Sequence, residues 1–243
     1  MKALLVSLFL FSFISSAQAF TGATRNLAVI FNGPTICGGC ETALGKLMRN
    51  RGLDVKYVHP GESTPALLSH AAIYMVPGGE DVDNLDQGWT RDDRQAVRDY
   101  VKNGGLYYGV CLGGYWAGDW PGTQPGFESL GIIPAHVIAY SKTTEARVEK
   151  INWNGQTRYA YFQDGPAFIF SDPSAARIFA TYEDGSVATF ISKFGNGRVA
   201  ISGVHFEAPK DWYDSDHLKD PDPLHAELGE ELFDALFFDV PGT

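Results

Sequence analysis

Short apolar runs and helical segments alternate along the first half of the chain, and this alternation restricts the possible folds more than any other feature. The predicted strands are residues 27–31, 54–58, 72–76 and 106–110, and the predicted helices cover 41–50 and 90–102. Alternation at these short intervals is typical of βαβ units, which place helices on both faces of a parallel sheet. We therefore predict an α/β fold with functional groups at the carboxyl ends of its strands.

The second half of the chain has the pattern of antiparallel strands. Predicted strands at 148–153 and 157–161 flank Asn154-Gly155, a dipeptide typical of a two-residue hairpin turn. Further strands are predicted at 176–182, 187–191 and 198–202, and a closing helix over 224–238. Because no linker-like stretch separates the two halves, we expect these strands to form hairpins at the edge of the same sheet, within one domain spanning 20–243.

Residues 1–19 have the form of a secretory signal peptide. Lys2 precedes an apolar run over 3–14, and Ala17-Gln18-Ala19 supplies the small residues of a cleavage site. A membrane-spanning helix needs about 20 apolar residues, so a retained anchor is the less favoured alternative. We expect cleavage near Ala19, a secreted or periplasmic protein, and no membrane association after cleavage.

The composition is that of an ordinary globular protein, with 44% hydrophobic and 20% charged residues in a chain of 243. It excludes a collagen, a coiled coil and wholesale disorder. The formal net charge of −10 argues against recognition of nucleic acids or anionic membranes through net charge. Three cysteines are too few for a disulfide scaffold, and an odd number in an oxidising compartment leaves at least one thiol unpaired within the chain.

Cys111 lies in a glycine-rich turn directly after the fourth predicted strand. The segment Gly109-Val110-Cys111-Leu112-Gly113 fits G-x-C-x-G, the thiol version of the nucleophile elbow. A sharp turn lifts the side chain clear of the sheet, flanking glycines relieve crowding, and the N-terminus of a following helix favours thiolate over thiol. Cys111 is therefore a candidate nucleophile.

A candidate base for this nucleophile follows the last predicted strand. Of six histidines, His205 lies just beyond a strand and has Glu207 two residues later. In an extended segment residues i and i+2 point the same way, so Glu207 could accept the imidazole N–H while the other nitrogen faces Cys111. The spacing is compatible with a Cys/His/Glu triad; the alternative is a surface histidine beside an unrelated acid.

Three motifs, in this order and at this separation, resemble a class I glutamine amidotransferase-like domain: Pro77-Gly78-Gly79, the Cys111 turn and His205-Phe206-Glu207. Within that superfamily the greatest likeness is to the N-terminal domain of yeast-type biotin–protein ligases, in residues 76–81, 100–105, 109–115 and 202–207. The resemblance implies a flavodoxin-like, mostly parallel sheet. It also implies that Cys111 is the nucleophile, His205 the base and Glu207 its orienter. The backbone N–H groups of Leu112 and of Gly78 or Gly79 would form the oxyanion hole.

Cys37-Gly38-Gly39-Cys40 lies between the first predicted strand and helix, at the same sheet edge as Cys111. We favour a small local disulfide formed on export. A redox pair able to exchange with Cys111 is the alternative. Zinc would need further ligands, and the sequence has no second cysteine pair. No metal or cofactor is expected.

Acidic and aromatic residues cluster around these motifs. Five aspartates follow Glu207, namely Asp211, Asp214, Asp216, Asp220 and Asp222. Their spacing does not match a calcium-binding EF-hand loop, and we interpret the segment as a solvated loop. Trp116, Trp120, Trp212 and Tyr213 could wall a pocket or belong to the core.

Two classes of function fit this sequence. The first is an exported cysteine hydrolase that acts on an amide or γ-glutamyl-type bond of a small-molecule or peptide-amide substrate. The second is a non-catalytic, ligand-binding relative of the biotin–protein ligase N-terminal domain. A thiol-redox protein using Cys37 and Cys40 is a further alternative.

Overall fold

The computed structural model describes residues 25–80, 89–120, 128–223 and 225–238. The predicted signal peptide, residues 1–19, lies outside the described residues, so the signal peptide and its cleavage near Ala19 stay predictions. Among the residues that are described, no helix is both long and apolar enough to cross a membrane.

Strands and helices alternate through the first half of the chain. The elements are β1 (Leu27–Phe31), α1 (Cys40–Asn50), β2 (Asp54–Val58), α2 (Pro65–Leu68), β3 (Ala71–Val76), α3 (Arg91–Lys102), β4 (Leu106–Val110) and α4 (Leu112–Ala117). At the start of α3, the Thr90 hydroxyl accepts the Asp93 N–H and the Asp93 carboxylate accepts the Thr90 N–H, a reciprocal cap that satisfies two free backbone donors.

Strands dominate the second half. They are β5 (His136–Ala139), β6 (Arg147–Trp153), β7 (Gln156–Phe162), β8 (Pro166–Ile169), β9 (Ala176–Thr181), β10 (Val187–Phe194) and β11 (Gly197–Ser202), followed by the helices α5 (Lys210–Ser215) and α6 (His225–Phe238). The predicted hairpin is confirmed, with Asn154 and Gly155 both at positive φ between β6 and β7.

The strands form one mixed sheet in the order β2-β1-β3-β4-β11-β10-β9-β6-β7, with β8 pairing to β5 and β10 beside this path. The pairs from β2 to β11 are parallel, and those from β11 to β7 are antiparallel. Separate apolar cores cover the two faces: α1 and α6 contribute to one, and α3 and α4 to the other. The predicted α/β fold, mostly parallel with antiparallel hairpins, is confirmed.

The position of residues 198–202 corrects the prediction of an antiparallel edge strand. β11 lies in the middle of the sheet and pairs in parallel with β4, with Ser202 opposite Val110. Its residues Val199, Ala200 and Ile201 are fully buried, so this strand needs neighbours on both sides and apolar cover on both faces. As a result, the segment after β11 emerges at the same sheet edge as Cys111.

Candidate active site

Cys111 occupies a strained turn between β4 and α4. Its φ of 49° and ψ of −105° are unusual for a residue with a side chain, and such a conformation costs on the order of 1–3 kcal/mol unless its surroundings hold it. Two sets of hydrogen bonds do so: the Cys111 N–H donates to the Ser202 carbonyl at 2.9 Å, and the Cys111 carbonyl accepts from Gly114 N–H at 2.8 Å. β11 therefore helps to fix the turn that carries the thiol.

The glycines of this turn are required by close backbone approach. A Cβ added to Gly113 would collide with the carbonyl oxygen of Val76, at the end of β3. A Cβ on Gly109 would lie 2.6 Å from the Gly113 carbonyl oxygen. The elbow is thus packed directly against the neighbouring strand, with no room for a side chain at either position.

His205 is buried beside Cys111 and is held by its backbone and its ring. The His205 N–H donates to the Tyr161 carbonyl at 2.8 Å, and Nδ1 lies 2.8 Å from Oε1 of Glu207. Both side chains of this pair are almost completely buried, at 4% and 2% exposure. The Cys111 side chain interacts with the imidazole and helps to raise its pKa. Because Nδ1 is engaged by Glu207, Nε2 is the nitrogen available to the sulfur.

The surroundings of His205 favour its protonated form. Burial alone lowers the pKa of the imidazole, but the negative charge of Glu207, the interaction with Cys111 and the hydrogen bond to Glu207 outweigh it and raise the pKa to about 10. At neutral pH His205 therefore carries a proton and a positive charge next to the Cys111 sulfur.

The candidate oxyanion-hole residues lie against the same groups. Leu112 is the first residue of α4, so its N–H has no acceptor within the helix. Gly79 pairs with Ile36 in an isolated antiparallel β-bridge. The hydrogen bonds of this bridge are made by the residues on either side of Gly79 and Ile36, so the Gly79 N–H takes no part in them. A Cβ on Gly78 would lie 2.5 Å from Cε1 of His205, and one on Gly79 would collide with the Leu112 side chain. The loop after β3 thus closes over both the imidazole and the start of α4.

A cavity of about 660 Å³ opens above these residues. Its lining residues are Cys37, Gly38, Cys40, Gly79, Glu80, Cys111, Thr144, Tyr161, Gln163, Asp164, His205, Trp212, Ser215 and Asp216. The Cys111 sulfur lies 3.7 Å from the carbonyl oxygen of Gln163, in the connection between β7 and β8. Catalytic candidates from distant parts of the sequence therefore share one chamber.

Comparisons with known proteins identify the fold and a family likeness. Residues 63–121 match a family model described as "Biotin-protein ligase, N terminal". A biotin–protein ligase of Schizosaccharomyces pombe is 26% identical over 161 residues, which are 56% of this chain and a quarter (25%) of that protein's length. PurLQS from Thermotoga maritima superposes with a TM-score of 0.61 at 13% identity, over 86% of this chain and 96% of that one. A glutamine amidotransferase from Thermotoga maritima gives 0.54 at 14% identity, over 88% and 89% of the two chains. The chain has a class I glutamine amidotransferase-like fold. The resemblance predicted from the motifs is confirmed.

The two remaining cysteines of this glutamine amidotransferase-like domain form a disulfide at the cavity wall. Cys37 and Cys40 are bonded, with their Cα atoms 5.5 Å apart, and Cys40 begins α1. Cys111 is a free and buried thiol. A Cβ on Gly78 would lie 3.5 Å from the Cys40 sulfur, so the disulfide borders the loop that covers His205.

The acidic segment after Glu207 is more ordered than a solvated loop. It forms α5 and is tied down by ion pairs: Arg158 binds Asp222 through two nitrogens, at 2.5 and 3.0 Å. Asp216 accepts the Tyr161 hydroxyl at 2.7 Å and faces the cavity. Among the described residues, no group of three or more His, Cys, Asp or Glu side chains is arranged to hold a metal ion.

The aromatic residues proposed for the pocket separate into two sets. Trp212 lines the cavity, and its ring lies 5.5 Å from that of His205. Trp116 instead packs in the core, with its ring 5.0 Å from that of Trp89. Sequence reasoning missed Gln163 and Asp164 as cavity residues. The Asp164-Gly165 dipeptide is a turn signal that marks their loop, but nothing local indicates that the loop crosses the elbow.

Proposed function

We propose that this domain is a cysteine hydrolase that cleaves an amide bond, including bonds of the γ-glutamyl type. The observation that supports this most strongly is the buried chain of contacts from Cys111 through His205 to Glu207 beneath an open cavity. A thiol, a histidine and an acid in this order are the groups that nucleophilic acyl transfer requires.

The reaction begins with the Cys111 sulfur as thiolate, stabilised by the protonated imidazole of His205. The sulfur attacks the carbonyl carbon and forms a carbon–sulfur bond. The carbon–nitrogen bond then breaks as His205 donates its proton to the departing nitrogen, which leaves as an amine. Neutral His205 next takes a proton from water, whose oxygen attacks the thioester and releases a carboxylic acid and the thiolate. Glu207 holds the ring orientation and stabilises its charge throughout.

The negative oxygen of each tetrahedral intermediate needs hydrogen-bond donors. The backbone N–H groups of Leu112 and Gly79 are free of the helix and bridge bonds around them, and they lie at the junction of the elbow and the loop after β3. In this proposal they donate to that oxygen. Loss of one such donor typically lowers the rate by about 100- to 1,000-fold.

Export is part of the proposal. It is supported by the signal-like sequence of residues 1–19 and by the Cys37–Cys40 disulfide, because disulfides persist in oxidising compartments. N-terminal sequencing of protein recovered from outside the cytoplasm tests it. The expected result is a start near Phe20, whereas a start at Met1 or Lys2 contradicts it.

Thiol alkylation tests the catalytic assignment without knowledge of the substrate. We expect iodoacetamide to label Cys111 stoichiometrically at mildly acidic pH, where an ordinary thiol reacts slowly, because the charged imidazole stabilises the thiolate. The variant His205→Ala should lose this reactivity, and Cys111→Ser, which removes the free thiol, should take up no label. Labelling of the native protein no faster than that of glutathione under the same conditions would overturn the proposal.

A second candidate function is thiol–disulfide exchange, favoured by the shared cavity of Cys111, Cys37 and Cys40. In that case a partner dithiol would supply two electrons and be oxidised as the Cys37–Cys40 disulfide opens to two thiols. Incubation with thioredoxin-type dithiols and a count of free thiols separates the two candidates. A catalysed rise from one thiol to three supports exchange, and a count fixed at one excludes it.

A further inference from the structure

We propose that the cavity accepts amide substrates that carry a positively charged ammonium or guanidinium group, with Asp164 as the residue that selects the charge. This inference rests on the proposed hydrolase function and names its substrate class.

The charged lining of the cavity is acidic. Glu80, Asp164 and Asp216 contribute carboxylates, and no lysine or arginine is among the described lining residues. Among the described lining residues, the one cationic side chain is His205, whose charge is matched by Glu207 at 2.8 Å. A ligand entering the chamber therefore meets a net negative field, which concentrates cations and repels anions.

Asp164 is the least exposed of these three acids. It lies in the connection between β7 and β8 with a φ of 49°, and its backbone carbonyl accepts the Tyr115 hydroxyl at 3.2 Å, which fixes the loop. Within the described residues, its carboxylate has neither a hydrogen-bond nor an ion-pair partner. Burial raises the pKa of this carboxyl, opposed by the more distant charge of Arg147.

Arg147 is committed to other groups. Its Nε donates to Glu149 at 2.7 Å, its Nη1 donates to the Ser141 hydroxyl at 3.1 Å, and its guanidinium stacks 4.1 Å from the centre of the Phe162 ring. Asp164 is thus a half-buried acid that faces the cavity without a neutralising partner. A cation bound there would offset the desolvation of the carboxylate.

Aromatic rings complete the environment of a cation. Tyr161 and Trp212 line the same chamber with their ring centres 5.4 Å apart, and the Tyr161 hydroxyl donates to Asp216 at 2.7 Å. Aromatic rings beside carboxylates are the combination that recognises ammonium and guanidinium groups. The two rings and the carboxylates of Glu80, Asp164 and Asp216 thus line one chamber that a charged nitrogen can enter.

The same lining acts against a substrate with a free carboxylate. A γ-glutamyl group carries an α-carboxylate, and the described lining offers no lysine or arginine to pair with it. Within the class of amides, we therefore expect substrates of the lysyl, arginyl or polyamine type to be preferred over anionic γ-glutamyl compounds.

Charged thiosulfonates that modify Cys111 test the selection of charge directly. The probes are the trimethylammonium-ethyl and the sulfonato-ethyl methanethiosulfonates, with each rate divided by the rate of the same reagent with 2-mercaptoethanol. A carboxylate a few ångströms from the reagent attracts a positive charge even in a chamber that holds some water. We therefore expect the normalised rate of the cationic reagent to exceed that of the anionic reagent by about 10-fold or more. In Asp164→Asn, which keeps the side-chain shape and tolerates positive φ, the preference should fall about 3-fold or more.

A matched control separates the local effect from the overall negative charge. Asp99→Asn removes the same charge from an exposed position in the C-terminal part of α3. This part of α3 leads into the end of β4 that is opposite to Cys111. The variant should therefore leave the ratio of the two normalised rates unchanged. No preference for the cationic reagent, or an equal fall in both variants, overturns the inference. If Cys111 labels rapidly without charge preference, the substrate class fails and the hydrolase proposal stands; if Cys111 is inert to iodoacetamide, the hydrolase proposal itself fails.

Discussion

The Nδ1 atom of His205 and the Oε1 atom of Glu207 lie 2.8 Å apart, and both side chains are almost completely buried. This pair determines which nitrogen of the imidazole meets Cys111 and how strongly the ring retains its proton. It also makes the protonation of His205 testable.

Replacement of Glu207 by glutamine should lower the pH at which His205 loses its proton. The carboxylate is the main group that raises the pKa of His205 against the effect of burial, so its removal lowers that pKa from about 10. An NMR titration of the His205 ring protons in the native protein and in Glu207→Gln measures the shift. An unchanged profile would show that Glu207 does not control the imidazole.

The raised pKa of His205 should also make the stability of the protein depend on pH. Because the pKa of His205 is raised on folding to about 10, its contribution to the free energy of unfolding is fully present below the ordinary histidine pKa of about 6.5 and is lost as pH rises through 10. Urea unfolding of the native protein between pH 6 and 10 should show this loss. The decline should be shallower in His205→Ala, and equal slopes in the two proteins would contradict the prediction.

Substitution of Gly113 by alanine should destabilise the domain and displace the elbow. The added methyl group would collide with the Val76 carbonyl oxygen, and overpacking of this kind costs about 1–3 kcal/mol. Gly38→Ala is the matched control, since a Cβ at Gly38 meets nothing within 4 Å. Chemical denaturation of both variants gives the difference, and equal stability of the two would refute the prediction.

Removal of the Cys37–Cys40 disulfide should lower the free energy of unfolding modestly. The bridge closes a loop with a sequence separation of only 3, and chain-entropy arguments assign about 2 kcal/mol to such a short loop. The double variant Cys37→Ala, Cys40→Ala measures this by urea unfolding, with dithiothreitol-treated native protein as the comparison. A loss above about 5 kcal/mol would indicate that the bridge supports the site as well as the chain.

The parallel half of the fold could be predicted because most of its strands, namely β1, β3 and β4, are buried on both faces. Such strands appear as continuous apolar runs, as in Leu27–Phe31 and Leu106–Val110, and the intervening helices end in glycine-containing turns. β5 and β8 cannot be predicted from the sequence because each strand has four residues, too few to show a periodic pattern. α5 has only six residues, two of them aspartates, and this composition favours a loop in the sequence pattern.

The candidate site could be predicted in part, because its main residues directly follow the ends of strands. Cys111 and His205 come after β4 and β11, and the parallel pairing of those strands brings them together. The sequence cannot show that β11 is central, because the order of strands depends on long-range burial. Asp164 was missed for a similar reason, since the pairing of β8 with β10 carries its loop to the cavity.

The central position of β11 in the sheet also determines the stage of protein synthesis at which the site can first form. β4, with the elbow, is synthesised long before β11, and the hydrogen bond from Cys111 to Ser202 requires the later strand. Until β11 inserts, the exposed edge of β4 lacks its partner and the thiol lacks its histidine. A chain cut short before residue 197 would therefore carry the nucleophile without its base, so reactivity is withheld until nearly the whole domain has been made.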